Sequence, residues 1–167
     1  MSERLHSITA LLTKELELLQ LVGDSIEREH EALLKNNLET LQQATKSKAQ
    51  AVSDFREQQQ LRLQWMRAHG LKTDSSLLDL VRAVADLEPR PEPLTDIRDL
   101  EDLAKSLNEL ALSCDSNNRR NGGLIVRLQE KTRNTLSVLR GEGASEDLYS
   151  DSGEKAPSTG SRSLGKA

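Results

Sequence analysis

Aromatic side chains make up only 2% of this 167-residue chain: one phenylalanine, one tryptophan and one tyrosine, at Phe55, Trp65 and Tyr149. Sheets favour aromatic and β-branched residues, so this scarcity, beside abundant Leu, Ala, Glu, Gln, Lys and Arg, argues for helices. A single cysteine, Cys114, excludes an intramolecular disulfide and fits a reducing compartment. No apolar run approaches the roughly 18 residues of a membrane-spanning helix. Residues 1–6 lack the apolar core of a signal peptide. The expectation is a cytoplasmic protein with no stable membrane insertion. Positive charge is not in excess either: 23 Lys and Arg stand against 27 Asp and Glu, for a net charge of −4. Nucleic-acid binders carry a basic face. The pair Arg119-Arg120 falls short of one, so no nucleic acid is expected as a partner.

What is present is helical periodicity. Leu5, Ile8, Leu12, Leu16 (or Glu15), Leu19, Val22, Ile26 and Leu33 recur in steps of three and four, as in an amphipathic helix with near-heptad spacing. Leu11, Leu18 and Leu34 widen that stripe, and Asn36-Asn37 offers a break and an N-cap. The spacing predicts a first helix over 3–34. A second, over 38–68, carries Leu38, Leu41, Ala44, Ala51, Val52, Phe55, Leu63 and Met66. Its stripe is thin, because Thr45, Lys48, Gln59 and Arg62 fall close to the same phase. Gly70 suits the residue just past its end, where a left-handed conformation closes a helix. Thr73-Asp74 is a candidate cap for a third helix over 75–87. Three prolines between Glu88 and Pro93 then forbid continuation.

The last helix, over 94–139, has the most regular pattern. Ile97, Leu100, Ala104, Leu107, Ala111 and Cys114 lead to Asn118 and Asn121 in the same phase, and the apolar series resumes at Leu124, Ile125, Leu128 and Leu139. The fold class is all-α: an elongated antiparallel bundle or coiled coil of about four helices over 1–140, followed by a flexible tail over 141–167. That tail holds five of the nine glycines and six serines, too little apolar surface to offset the entropy of ordering it.

A catalytic constellation is missing. His6, His30 and His69 are far apart with no paired-ligand spacing, and Glu27 and Glu31 beside His30 read as helix-surface pairing. Cys114 lies on the apolar stripe, as a small buried hydrophobe would. Gly160 to Lys166 imitates the glycine and lysine spacing of a phosphate-binding loop, but lacks the terminal Ser/Thr and follows no strand. No enzyme activity, cofactor or metal is expected.

Two features ask for another explanation. Gly122 and Gly123 interrupt a helix at a cost of about 1 kcal/mol each. Two readings stand for this stretch: a buried asparagine that fixes register between packed helices, or small residues and amides that admit a partner's helix. The second feature is Leu148-Tyr149, an apolar pair in a polar segment, suited to a short linear motif with the ring as anchor.

Asn118-Arg-Arg-Asn121-Gly122-Gly-Leu124-Ile125, a leucine-bearing helix to Leu139, and Leu148-Tyr149-Ser-Asp-Ser-Gly153 together resemble the FlgN family of bacterial flagellar export chaperones. The resemblance implies a cytoplasmic all-helical chaperone for type III protein export. Its implied partners are the flagellar hook-associated (hook–filament junction) proteins, whose terminal helices it holds before assembly, and the cytoplasmic domain of the flagellar export gate. The implied partner-binding residues are Asn118, Asn121, Gly122, Leu124, Ile125, Leu128, Leu136, Leu139, Leu148, Tyr149 and Gly153, with Tyr149 a candidate for docking at the gate. Gly123, which doubles the glycine, and the long serine-rich extension after Gly153 depart from the family pattern. An alternative from a different class is a self-associating coiled-coil scaffold, which the near-heptad stripes also allow.

Overall fold

The first three helices begin where a side chain can take an orphan backbone N–H. The computed structural model describes residues 2–87 and 94–140, and among them the ordered elements are four helices: α1 (Glu3–Leu34), α2 (Leu38–Ala68), α3 (Leu77–Asp86) and α4 (Leu94–Leu139). Ser2, Asn37 and Ser76 cap the first three, each side chain accepting from a backbone N–H three residues on at 3.1 Å. The cap of α3 corrects the expectation of Thr73-Asp74. Ser76 is preferred because its hydroxyl also donates to the Asp79 carboxylate at 2.7 Å, doubling the hold on the first turn.

Helix ends are equally local. Asn36 (φ 52°) and Gly70 (φ 70°) take the left-handed conformation after α1 and α2. In each case the following N–H reaches back over the last turn, Asn37 N to Ala32 O and Leu71 N to Met66 O, both at 2.9 Å. The two asparagines thus divide the work: Asn36 ends α1 and Asn37 starts α2.

By its internal contacts the chain divides into two units, residues 1–127 and 128–167. In the first, α1 supplies the spine of the core with Leu5, Ile8, Leu12, Leu19, Val22, Ile26 and Leu33. Between Leu12 and Leu19 the buried position is Glu15, while Leu16 is only partly buried against the core. Helix α2 runs antiparallel to α1. Gln58 reaches the Leu11 carbonyl, Arg62 reaches Glu15, and Lys48 reaches Glu29. Three of the polar residues that thin the α2 stripe, Thr45, Lys48 and Arg62, therefore face carboxylates set into the α1 stripe. The steps match, fourteen residues from Glu15 to Glu29 and fourteen from Lys48 to Arg62, so one register satisfies both pairs. Up to Arg127, α4 runs parallel to α1. Cys114 faces Leu19, Asn121 faces Ile26, and Leu100, Ala104 and Leu107 enter the core. Arg4 donates to the Leu87 carbonyl at 3.0 Å, tying the end of α3 to the start of α1.

The second unit is described through Arg140 and consists of the last turns of α4. The expected tail over 141–167 lies outside the described residues.

Candidate functional site

The first unit contains a buried polar cluster built by α1, α2 and α4. Asn121, on the core phase of α4, is only 1% exposed. Its amide nitrogen donates to the Ile26 carbonyl at 2.8 Å and to Glu29 Oε2 at 3.2 Å. Both of those groups are acceptors, which fixes the amide's orientation. Its oxygen therefore faces His30 Nδ1 at 2.8 Å, and that ring nitrogen must carry the hydrogen and donate. Glu29 also accepts from Lys48 Nζ at 2.8 and 2.7 Å and from the Thr45 hydroxyl at 3.2 Å. Lys48 spends its remaining proton on Asn118 Oδ1 at 3.1 Å. Every donor of Asn121 and Lys48 is thus used, and a fully satisfied buried network rigidifies the helices it joins.

A second buried charge sits lower in the same seam. Glu15 is 0% exposed and accepts from Arg62 Nε at 2.7 Å, while its Oε2 has no partner. Burial pushes its carboxyl above the ordinary value of 4.5, against the pull of the Arg62 guanidinium. Burial also raises the Cys114 thiol, which keeps it in the neutral form of a core residue.

Immediately after Asn121 the character of α4 changes. Gly122 and Gly123 are helical and exposed, and a Cβ built on either would meet nothing within 4 Å. Close packing inside this chain therefore gives no reason for them. Gly23, by contrast, faces Cys114 Sγ, 3.5 Å from where its Cβ would be. Leu124 and Ile125 are half-buried and Val126 is exposed.

In the second unit Leu128 is half-buried, and Leu136, Val138 and Leu139 are 46%, 71% and 77% exposed. Of the described residues from 129 to 140, all but the half-buried Ser137 are exposed. The Thr132 and Thr135 hydroxyls return to the helix's own carbonyls, Leu128 O and Lys131 O, both at 2.9 Å.

The structure thus separates the residues singled out from the sequence. Asn118 and Asn121 join the polar cluster. On α4 after them Gly122 is exposed, Leu124, Ile125 and Leu128 are half-buried, and Leu136 and Leu139 are exposed. Leu148, Tyr149 and Gly153 lie outside the described residues. Periodicity put Thr45 and Lys48 in the phase of the α2 stripe, but did not bring out Glu29 and His30 or the meeting of the four. The available signal was Glu29 itself, a charged residue at the stripe position between Ile26 and Leu33.

Among the described residues no group of three His, Cys, Asp or Glu could hold a metal ion, and no helix is long and apolar enough to cross a membrane. An all-helical bundle braced by buried polar pairs, whose last helix carries apolar side chains that no described residue covers, has the form of a binding protein. The chain belongs to the FlgN family, whose model, described as FlgN protein, matches residues 1–157. Membership supports a role as a flagellar export chaperone, within a family of chaperones and not of enzymes. No curated protein and no solved structure matches the chain.

Proposed function

We propose that this protein is a cytoplasmic export chaperone for flagellar hook–filament junction proteins. It binds their terminal helices, prevents premature assembly and delivers them to the cytoplasmic domain of the type III export gate. The observation that carries this reading is the end of α4, where the phase that is core in the first unit continues with its leucines exposed. Axial polymerisation helices are amphipathic and cannot cover their own apolar faces, and a helix laid along such a stripe covers both. An ordering cost of about 2–5 kcal/mol on coupled folding and binding keeps such a complex releasable. In this scheme Leu124, Ile125, Leu128, Leu136 and Leu139 touch the client. Asn118 and Asn121 hold the preceding turns in place, and Gly122 leaves room for a neighbouring backbone. Leu148, Tyr149 and Gly153 form the motif offered to the gate.

Co-expression with a junction protein tests the scheme. The wild-type chain is expected to yield a soluble complex of defined stoichiometry. Leu136→Glu combined with Leu139→Glu is expected to lose it while the chaperone stays folded. Tyr149→Ala is expected to keep the client but lose the gate domain. A soluble complex undiminished by the double substitution overturns the assignment of the face. A stable homo-oligomer by sedimentation, without any client complex, favours a self-associating coiled-coil scaffold instead.

A further inference from the structure

The charges at the end of α4 carry a statement about the partner. Taking α-helical geometry at roughly 100° per residue, Leu128, Thr132, Thr135, Leu136 and Leu139 fall on one stripe. Arg133 and Arg140 lie along one border of that stripe and Lys131 along the other, while the sole acid of the segment, Glu130, falls on the opposite side of the helix. All three cations are exposed, and none forms an ion pair with a described residue. In the first unit three of the five exposed cations of α4 are matched, Lys105 with Asp102, Arg119 with Asp115 and Arg120 with Glu27, while Arg98 and Arg127 form no ion pair with a described residue. An apolar stripe bordered on both sides by unmatched cations, in a chain of net charge −4, is a local feature with a definite complement.

We infer that the occupant of this face is an amphipathic helix with acidic residues flanking its apolar stripe. The inference rests on the client-binding reading of α4 and adds the chemistry of the client. Rim charges of this kind select partner and orientation, as flanking positions do in coiled coils. The two threonines deepen the selectivity. Their hydroxyl hydrogens are bonded to the helix itself and their side chains are short, which makes the stripe shallow and leaves more of the discrimination to its rim.

The test is a titration of the full-length protein with two synthetic helical peptides by fluorescence anisotropy. Both share one leucine stripe, flanked by glutamates in one peptide and by lysines in the other. The glutamate-flanked peptide is expected to bind roughly tenfold tighter, the sum of three rim pairs at the strength of exposed ion pairs. The gap should narrow as salt rises. Lys131→Glu with Arg133→Glu and Arg140→Glu is expected to reverse the preference. Equal affinities at low salt, or a preference unmoved by the reversal, overturn the charge inference while leaving the face a helix dock. Failure of both peptides to bind removes the dock itself and the client reading with it. Residues 142–154 carry five acids, Glu142, Glu146, Asp147, Asp151 and Glu154. If the glutamate-flanked peptide binds only after these are neutralised to amides, the occupant is the chain's own segment and the inference falls. It falls equally if the peptide dissolves a preformed dimer, since the occupant is then a second copy.

Discussion

The two stretches of α4 on either side of Arg127 share one hydrophobic phase, yet they use it differently. From Leu100 to Asn121 the core-phase side chains Leu100, Ala104, Leu107, Cys114 and Asn121 are buried, and the amides on that phase are bound within the unit: Asn121 by Ile26, Glu29 and His30, and the exposed Asn118 by Lys48. From Leu128 onward the same phase carries leucines and threonines into solvent, bordered by unmatched cations. In the first stretch substitutions act on stability. In the second they are expected to act on the proposed client binding. A helix this regular in pattern can therefore serve two purposes, divided by what stands beside it and not by its own periodicity.

The sharpest way to break that contrast is to strip the first unit of a buried partner. Arg62→Ala leaves the Glu15 carboxylate buried without its cation and is expected to cost about 3–5 kcal/mol in denaturant unfolding. Asn121→Leu comes next. It leaves Glu29 and His30 short of a partner inside the seam and is expected to cost about 1–3 kcal/mol, with the affinity of the α4 end for a client little changed. A loss of client affinity with an unaltered thermal midpoint would place Asn121 in the binding face and blur the division.

Glu15 gives a pH test. Its folded value is raised above 4.5, so the folded state holds the proton more tightly than the unfolded chain. Its contribution to stability is therefore greatest below 4.5 and declines as pH rises through the raised value. The melting temperature of the wild type relative to Glu15→Gln should fall across that window. A difference that is flat or rises with pH would show that Arg62 outweighs burial.

Gly122→Ala and Gly123→Ala sharpen the comparison from the other side. Neither Cβ meets an atom of this chain, and neither glycine has a positive φ. Each change is therefore expected to raise stability by up to about 1 kcal/mol. Any accompanying loss of client affinity measures what the glycines are for. The smallest stability effect belongs to Leu139→Ser, within about 0.5 kcal/mol in the melting curve because the side chain already faces water. Its effect on the client complex should be far larger.

Much of the fold was legible in the sequence because helices here are punctuated by local chemistry. Asn37 as a cap and Gly70 as a terminator both act within a turn or two of themselves. The cap of α3 was misplaced because Thr73, Asp74, Ser75 and Ser76 are all capable of capping, and the Ser76 to Asp79 pairing decides among them. The site was legible only in part. The phase of Asn118 and Asn121 on the α4 stripe was readable, but whether an amide on a stripe meets a partner or its own chain depends on register. Register here is held by Glu15 with Arg62 and Glu29 with Lys48, pairs 47 and 19 residues apart in sequence.

By itself, then, the sequence determined the all-helical class, the ends of α1 and α2 and the face that each helix turns inward, since propensity, capping and periodicity are local properties. Only the tertiary structure decided that Asn121 is enclosed while Gly122 and Gly123 stand open, and that the leucines after Arg127 have no described neighbour to cover them. A hydrophobic period says which side of a helix seeks cover. What covers it, and where the cover stops, is set by the long-range matching of charges and side chains across helices.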